Sequence, residues 1–395
     1  MKQYTVAVVT GTRAEYGLLR GVLDALAASE VLTPQLLVTG AHLAPEFGGT
    51  VKEIEADGRA IAARIPILEL VSGTGTPYAT AKIVAHALDK FTDYFHANRP
   101  DAVLVLGDRY EIFAVGAAAA LLEIPLLHIS GGDVTQGAAD DYFRHCLTKM
   151  AALHFPSCET YAQRIIRMGE APETVHNVGG LGDENLRRLP LLSRAALAQS
   201  LDYDVTKPYV LATYHPETAG GEPPAQQFAA LLRALSHFDV GCIFTKANAD
   251  AGGAQINALI DAACAENSRD IAFTSMGVLR YLSAMQYCAV VVGNSSSGVV
   301  ETPTLGIPAV NIGTRQQGRI VCDNVLCCAA NEQSIAAALQ TALTPAFAEK
   351  AHKTVSPYNG GNTAEKIVRI IEEFLQSPGC DAPKRFYDGT QGARA

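Results

Sequence analysis

The stretch from Asp101 to His145 limits what this chain can fold into more than any other. It opens with an unbroken apolar run, Ala102-Val103-Leu104-Val105-Leu106, that halts at Gly107-Asp108-Arg109. A short apolar run stopped by glycine and then by charge reads as a strand buried on both faces, reaching its carboxyl end. Tyr110 to Glu123, rich in Ala and Leu, reads as a buried helix. Pro125-Leu126-Leu127-His128-Ile129 is a second strand, halted at Ser130-Gly131-Gly132-Asp133. After small residues from Val134 to Ala139, Asp140-Asp141 opens an amphipathic helix that carries Arg144 and His145. The result is a βαβα unit, and open α/β sheets bind ligands beyond the carboxyl ends of their strands. The pattern predicts that Asp108, Asp133, Asp140 and Asp141 converge on one rim with Arg109, Arg144 and His145. Asp133 and Asp140 also suit turn and helix-cap positions. A cluster of acids at adjacent strand ends is nevertheless what general acid–base chemistry needs.

At 395 residues the chain exceeds one ordinary core, so two domains are expected. With 48% hydrophobic and 18% charged residues it is a packed globular protein. A net charge of −9 argues against a nucleic-acid partner. It leaves room for an anionic small ligand held by local Arg residues and helix N-termini. Met1-Lys2-Gln3-Tyr4 runs straight into a predicted strand without an apolar leader, and no apolar stretch reaches membrane-spanning length. The expectation is a cytoplasmic protein with no membrane partner. Nine cysteines without a CxxC pair read as reduced thiols and as neither a disulfide framework nor a metal site.

Taken in order, Thr5 to Val9 is a strand ending at Thr10-Gly11-Thr12-Arg13, and a helix follows to Ala28. This turn resembles a phosphate-binding turn but lacks both GxGxxG and the Walker lysine, and Arg13 is its informative residue. Gln35 to Thr39 is the next strand, leading to His42. Pro45 to Gly58 reads as a loop with a short helix. Ile67 to Val71 reads as a short strand, and a long helix covers about 79–98. The strand-like Thr174 to Val178 closes a first domain over 1–185. Arg187 to Leu201 reads as helix, and a second domain over 186–360 has strands at Tyr209–Thr213, Gly241–Thr245, Asp270–Thr274, Cys288–Val292 and Pro308–Ile312. Their ends carry His215, Asn248, Ser275-Met276-Gly277, Gly293-Asn294-Ser295-Ser296-Ser297-Gly298 and Gly313-Thr314-Arg315. GNSSSG is the strongest phosphate signal, since small residues admit an anion while hydroxyls and helix amides donate to it. Glu301, six residues after Ser295, suits the hydroxyls of a ribose. From residue 361 to 395 a helix with Ile367, Ile370, Ile371 and Phe374 on one face is expected to pack back toward the first domain, followed by a tail. Two Rossmann-like α/β domains facing one another across a cleft make a fold of GT-B type.

These motifs together resemble the hydrolysing UDP-N-acetylglucosamine 2-epimerases. The resemblance runs from Thr10-Gly11-Thr12-Arg13-Ala14-Glu15-Tyr16 to Gly360-Gly361-Asn362. It includes GDRYE at Gly107 to Glu111, HISGGD at His128 to Asp133, DDYFRH at Asp140 to His145, HPET at His215 to Thr218, GNSSSG, and GTRQQGR at Gly313 to Arg319. The resemblance implies elimination of UDP from a UDP-2-acetamido sugar through a glycal, addition of water, and reprotonation of C2 from the opposite face. The sugar would be UDP-N-acetylglucosamine or UDP-2,4-diacetamido-2,4,6-trideoxyglucose. Asp108 and Asp140 match catalytic acids of the family, with Asp133, Arg144 and His145 beside them. Ser130 stands where many relatives carry Glu, so that either Asp133 or Asp141 supplies the missing acid or the proton travels through water or His145. By the same resemblance Ser295, Ser296 and Ser297 meet phosphates and Glu301 the ribose. Arg13, His215 and Arg315 lie near the diphosphate, while Asn248, Ser275, Met276 and Gly277 frame the nucleotide. No cofactor and no metal are implied, and a homodimer or homotetramer is expected. A non-hydrolysing epimerase and a GT-B glycosyltransferase are the alternative readings.

Overall fold

The computed structural model describes residues 2–45, 49–69, 76–135, 139–216, 222–247, 252–274, 276–378, 380 and 383–389. Two compact units result, one of Met1–Asn185 with Pro357–Ala395 and one of Leu186–Ser356. In the first, β1 (Tyr4–Thr10), β2 (Leu32–Thr39), β3 (Ile61–Ile65), β4 (Ala102–Leu106), β5 (Leu126–Ile129) and β6 (Leu153–Phe155) form a parallel sheet ordered β3-β2-β1-β4-β5-β6. In the second, β7 (Tyr209–Thr213), β8 (Gly241–Thr245), β9 (Ile271–Phe273), β10 (Val290–Gly293), β11 (Ala309–Ile312) and β12 (Val325–Cys328) are ordered β12-β11-β10-β7-β8-β9, again parallel. Counted from its own first strand, each sheet has the doubly wound Rossmann order. A crevice therefore opens where the winding reverses, beyond β1 and β4 in one unit and β7 and β10 in the other. The GT-B type α/β class expected from the sequence is the class observed.

The apolar runs are continuous because both faces of each sheet are covered. In β1 and β4, Val6, Val8, Leu104 and Leu106 point into a core shared with the helix Arg13–Ala28 and the terminal helix Thr363–Gln376. Ala7, Val9, Val103 and Val105 point the other way, into a core with the helices Pro77–Ala97 and Tyr110–Leu121. The terminal helix buries Ala364, Ile367, Val368, Ile371 and Leu375 in the first of these cores, while Ile370 and Phe374 lie at its margin. The chain rejoins the first unit at Pro357, slightly ahead of the expected residue 361.

Several elements differ from the expectation. No strand occupies the described part of Ile67–Val71; the edge strand is Ile61–Ile65, which Pro66 ends because it cannot donate to a ladder. Arg187–Leu201 is two helices, Leu181–Arg188 and Arg194–Leu201, separated at Pro190. Thr174–Val178 begins in a 3₁₀ turn and meets β6 through a single bridge from Val175 to His154. Strands β6 and β12, short edges of three and four residues, were not anticipated. The helix after GNSSSG is a single turn, Ser297–Val300, with a second turn Thr302–Leu305 containing Pro303.

Candidate active site

Beyond β4 and β5 of the first unit, one guanidinium organises the acids. Arg144, on the helix Ala139–Met150, is 2% exposed. Its Nε donates to Asp108 Oδ2 at 2.9 Å, and a terminal nitrogen makes a second, shorter contact with the same oxygen. The remaining donors reach Asp141 Oδ1 at 2.9 Å, the Asp133 carbonyl at 3.1 Å and Thr135 Oγ1 at 2.9 Å. A buried cation is costly unless its donors are matched, and the planar five-donor fork of Arg fits this set as Lys could not. Burial opposes the charge, but Asp108 outweighs it and the Arg144 pKa is raised. Asp141 also accepts from the Thr135 amide at 2.8 Å and lies 3.8 Å from His145 Nε2. The Asp140 carboxyl is shifted up, first by desolvation and then by the neighbouring Asp108 charge, which suits a proton donor. Burial shifts His145 down.

Ser130, at the end of β5, adopts a left-handed φ of 64°. Its amide donates to the Phe155 carbonyl at 3.0 Å, fixing the start of the Gly-rich turn. In that turn Asp133 Oδ1 accepts from the Val134 amide at 2.7 Å, the local bond of a turn-forming Asp. His128, fully buried behind the turn, bonds the Gly107 carbonyl through Nε2 at 2.8 Å. Burial lowers its pKa to about 3, so Nε2 carries the proton of a neutral ring that bridges β4 and β5.

A second charged group fills the reversal between β1 and β4. Glu15 Oε2 accepts from the Gly11 and Thr12 amides at 2.7 and 3.2 Å, and Thr12 returns the bond to the Glu15 amide as a capping box. Glu111, equally buried, accepts from Arg109 Nε at 2.6 Å, and Arg109 lies 4.0 Å from Glu15. Burial, then the charge of Glu111, push the Glu15 pKa up to about 8.

In the second unit the reversal between β7 and β10 is locked by Asn294. Its side chain accepts from the His215 amide at 2.7 Å and donates to the His215 carbonyl at 2.8 Å. Its own carbonyl accepts from Gln316 Nε2 at 2.8 Å and from Arg315 at 3.2 Å. Through its side chain and its backbone carbonyl, this one residue ties together the ends of β7, β10 and β11. Gly293 before it has φ 136°, and a Cβ there would stand 1.9 Å from the Thr213 carbonyl, so no other residue fits. Ser295, Ser296 and Ser297 follow half-buried, with Ser295 Oγ accepting from the Ser297 amide at 3.4 Å. Burial raises the Glu301 pKa against hydrogen bonding from Ser297, and Glu301 Oε2 has no hydrogen-bond partner among the described residues. Met276 is buried ahead of the helix Gly277–Tyr287 and accepts from Arg280 Nε through its carbonyl at 2.7 Å.

Of the residues singled out in the sequence, Asp108, Asp133, Asp140, Arg144 and His145 gather around the Asp140 helix, with Ser130 at its neighbouring strand end. His215, Ser295, Ser296, Ser297, Glu301 and Arg315 gather beyond β7, β10 and β11. Arg13 is exposed in the first turn of its helix. Asn248 and Ser275 lie outside the described residues. Asn294, Gln316, Glu15 and Glu111 were overlooked as organisers. The signal for Asn294 was present, because an Asn fixed between Gly and Ser at a strand end has a hydrogen-bonding side chain and no room to expose it.

Two doubly wound α/β units, one ending in a carboxylate–Arg cluster and one in a turn of small residues, define a GT-B type protein. The sequence profile described as UDP-N-acetylglucosamine 2-epimerase matches residues 24–372, and the chain belongs to that family. It is 38% identical to the "GDP/UDP-N,N'-diacetylbacillosamine 2-epimerase (hydrolyzing)" of Campylobacter jejuni over 82% of this chain and 84% of that one. It is 36% identical to the "Polysialic acid biosynthesis protein P7" of Escherichia coli over 97% of both chains. Among solved structures, the UDP-GlcNAc 2-epimerase of Neisseria meningitidis bound to UDP-GlcNAc superposes with a TM-score of 0.80 at 18% identity, covering 93% of this chain and all of that one. At that identity the likeness concerns the fold.

Proposed function

We propose that this protein is a hydrolysing 2-epimerase, converting a UDP-2-acetamido sugar and water to UDP and the 2-epimeric free sugar. The observation that carries the reading is the Arg144-centred cluster of Asp108, Asp133, Asp140 and Asp141. In the first half-reaction a carboxylate takes the C2 proton while UDP leaves C1 with the bonding electron pair, forming a C1=C2 glycal. In the second, water adds hydroxide at C1 and C2 gains a proton on the opposite face. Two acid–base groups are therefore required. Asp140, with its raised pKa, is assigned to protonation, and Asp108, fixed by Arg144, to the opposing carboxylate. Asp133 takes the part that a Glu at position 130 would otherwise play, and His145 with Asp141 supports the exchange. In the second unit the Ser295–Ser297 turn, His215 and Arg315 hold the diphosphate and Glu301 the ribose. Backbone amides and positive charge aimed at the departing diphosphate stabilise it as it forms. The substrate is UDP-N-acetylglucosamine or UDP-2,4-diacetamido-2,4,6-trideoxyglucose; the name of the Campylobacter relative favours the second.

Incubation with each sugar in heavy water tests this. The expected products are UDP and a free sugar with deuterium at C2, and Asp108→Asn should abolish turnover by orders of magnitude while retaining UDP affinity. An intact epimeric nucleotide sugar would make the enzyme non-hydrolysing, and UDP release with the C2 hydrogen retained would rule out elimination.

A further inference from the structure

The tail segment 383–389 is not loose. Lys384 Nζ donates to the carbonyls of Thr148 at 3.1 Å and Ala151 at 2.6 Å, and lies 2.5 Å from Glu170 Oε2. Thr148 belongs to the last turn of the helix Ala139–Met150, whose final carbonyls lack partners within the helix. A cation at that end also faces the negative pole of the helix. Glu170 is 2% exposed and takes three donors at once: Lys384, Lys149 at 2.5 Å and His154 Nε2 at 3.0 Å. Burial works against its charge, yet these bonds hold its pKa at about 2. The tail is pinned again where the Tyr387 amide donates to the Gly169 carbonyl at 2.9 Å and where Lys149 stands 4.9 Å from the centre of the Phe386 ring. Gly169 (φ 91°) makes room for that ring, since a Cβ there would fall 2.3 Å from Phe386.

The pinned turn is the one that follows Arg144. Thr148 Oγ1 donates to the Arg144 carbonyl at 3.1 Å, so Lys384 grips the same residue that buttresses Arg144. We propose that the segment 383–389 is a strap and Lys384 a positioning residue: by capping the C-terminal end of the Asp140 helix through Thr148, Ala151 and Glu170, it sets where Arg144 holds the carboxylates. The function of the strap rests on the epimerase reading, but its mechanical part does not. A displacement of about 1 Å at a proton-transfer site costs on the order of 100-fold in rate, and releasing one end of a fixed helix should produce a fraction of that.

The test compares Lys384→Met, Lys384→Arg and a chain ended after Cys380 with the parent, reading steady-state kcat and KM, thermal melting, and hydrogen exchange of the helix amides. The strap predicts that Lys384→Met and the shortened chain lose about 10-fold in kcat with KM within about two-fold. Exchange in the Asp140 helix should be faster, Lys384→Arg should keep parental behaviour, and a peptide of residues 381–395 should restore kcat to the shortened chain. Parental kcat and exchange in both Lys384→Met and the shortened chain would overturn it. So would a loss of melting temperature that brings no change in kcat or helix exchange below the melt. If the parent turns over neither sugar, the epimerase reading fails, and helix exchange alone then decides whether the strap exists.

Discussion

Glu15→Gln separates a buried acid from its charge without altering its shape. In the parent, Glu15 Oε2 takes the Gly11 and Thr12 amides, while Glu15 Oε1 and Glu111 Oε2 are buried without hydrogen-bond partners among the described residues. Glu15 and Glu111 lie beside the single cation Arg109, and burial together with the charge of Glu111 holds Glu15 toward its protonated form. Raising Glu15 from 4.5 to about 8 corresponds to about 5 kcal/mol of preference for the protonated form in the folded state. A group whose folded pKa is raised contributes stability that is complete below its unfolded pKa and is lost as pH climbs through the folded value. The loss should therefore fall between 4.5 and about 8. Gln keeps the acceptor for the two amides, offers an N–H to Glu111, and cannot ionise. Urea unfolding followed by circular dichroism should find parent and variant within about 1 kcal/mol of each other near pH 4.5, with the variant ahead by several kcal/mol near pH 9. Parallel loss of stability in parent and variant across that window would refute a protonated Glu15.

Asp133→Asn keeps the acceptor for the adjacent Val134 amide and removes the charge; as a proton-transfer group Asp133 should cost at least ~100-fold in kcat, whereas a rate within a few-fold of the parent assigns it to the turn. Ser130→Gly relieves a left-handed residue at φ 64° and should raise stability by up to about 1 kcal/mol in thermal melts; a lower melting temperature would mean that its hydroxyl holds the turn. Asn294→Ala removes both bonds from its side chain to the His215 backbone and should weaken UDP binding at least ~10-fold by calorimetry, with unchanged affinity counting against the lock.

The interior of each sheet was legible because burial on both faces turns a strand into an apolar run with a hard stop. β1, β4, β5, β7, β8, β10 and β11 all announce themselves in this way. The edges were less legible, for the same reason: of the four, only β9 was read, as Asp270–Thr274. Ile61–Ile65 alternates with Ala and carries Arg64, and Leu153–Phe155 is too short to separate from a loop by its composition. The acids gathered around Arg144 could be read because they sit at strand ends and in one helical turn. That a single guanidinium holds them could not, since Arg144 looks from the sequence like any charged residue on an amphipathic helix. Only its burial reveals it. The same holds for Lys384, in a segment whose lack of periodicity suggested nothing to pack against; a lone lysine finds its carbonyls through tertiary contact, which no local pattern records.

The two units reuse one winding for opposite electrostatic tasks, and the residues at each reversal show how. Beyond β7 and β10 the chain places Gly, Asn and Ser, so that backbone and neutral donors face the crevice. Fixed dipoles suit an anion that must be held and then released. Beyond β1, β4 and β5 it places carboxyls, two of which, Glu15 and Glu111, are buried at a cost for a lone charge. Arg144 and Arg109 offset that cost while leaving the carboxyls unequal: Asp108 and Asp141 bonded to a cation, Asp140 and Glu15 shifted toward the protonated form. Proton transfer in two directions requires such inequality, because acids with identical surroundings would all be ionised or all neutral at one pH. The two arginines therefore do more than neutralise. Arg144 bonds Asp108 and Asp141 and leaves Asp140, raised by desolvation and by the Asp108 charge, as the carboxyl shifted toward its protonated form.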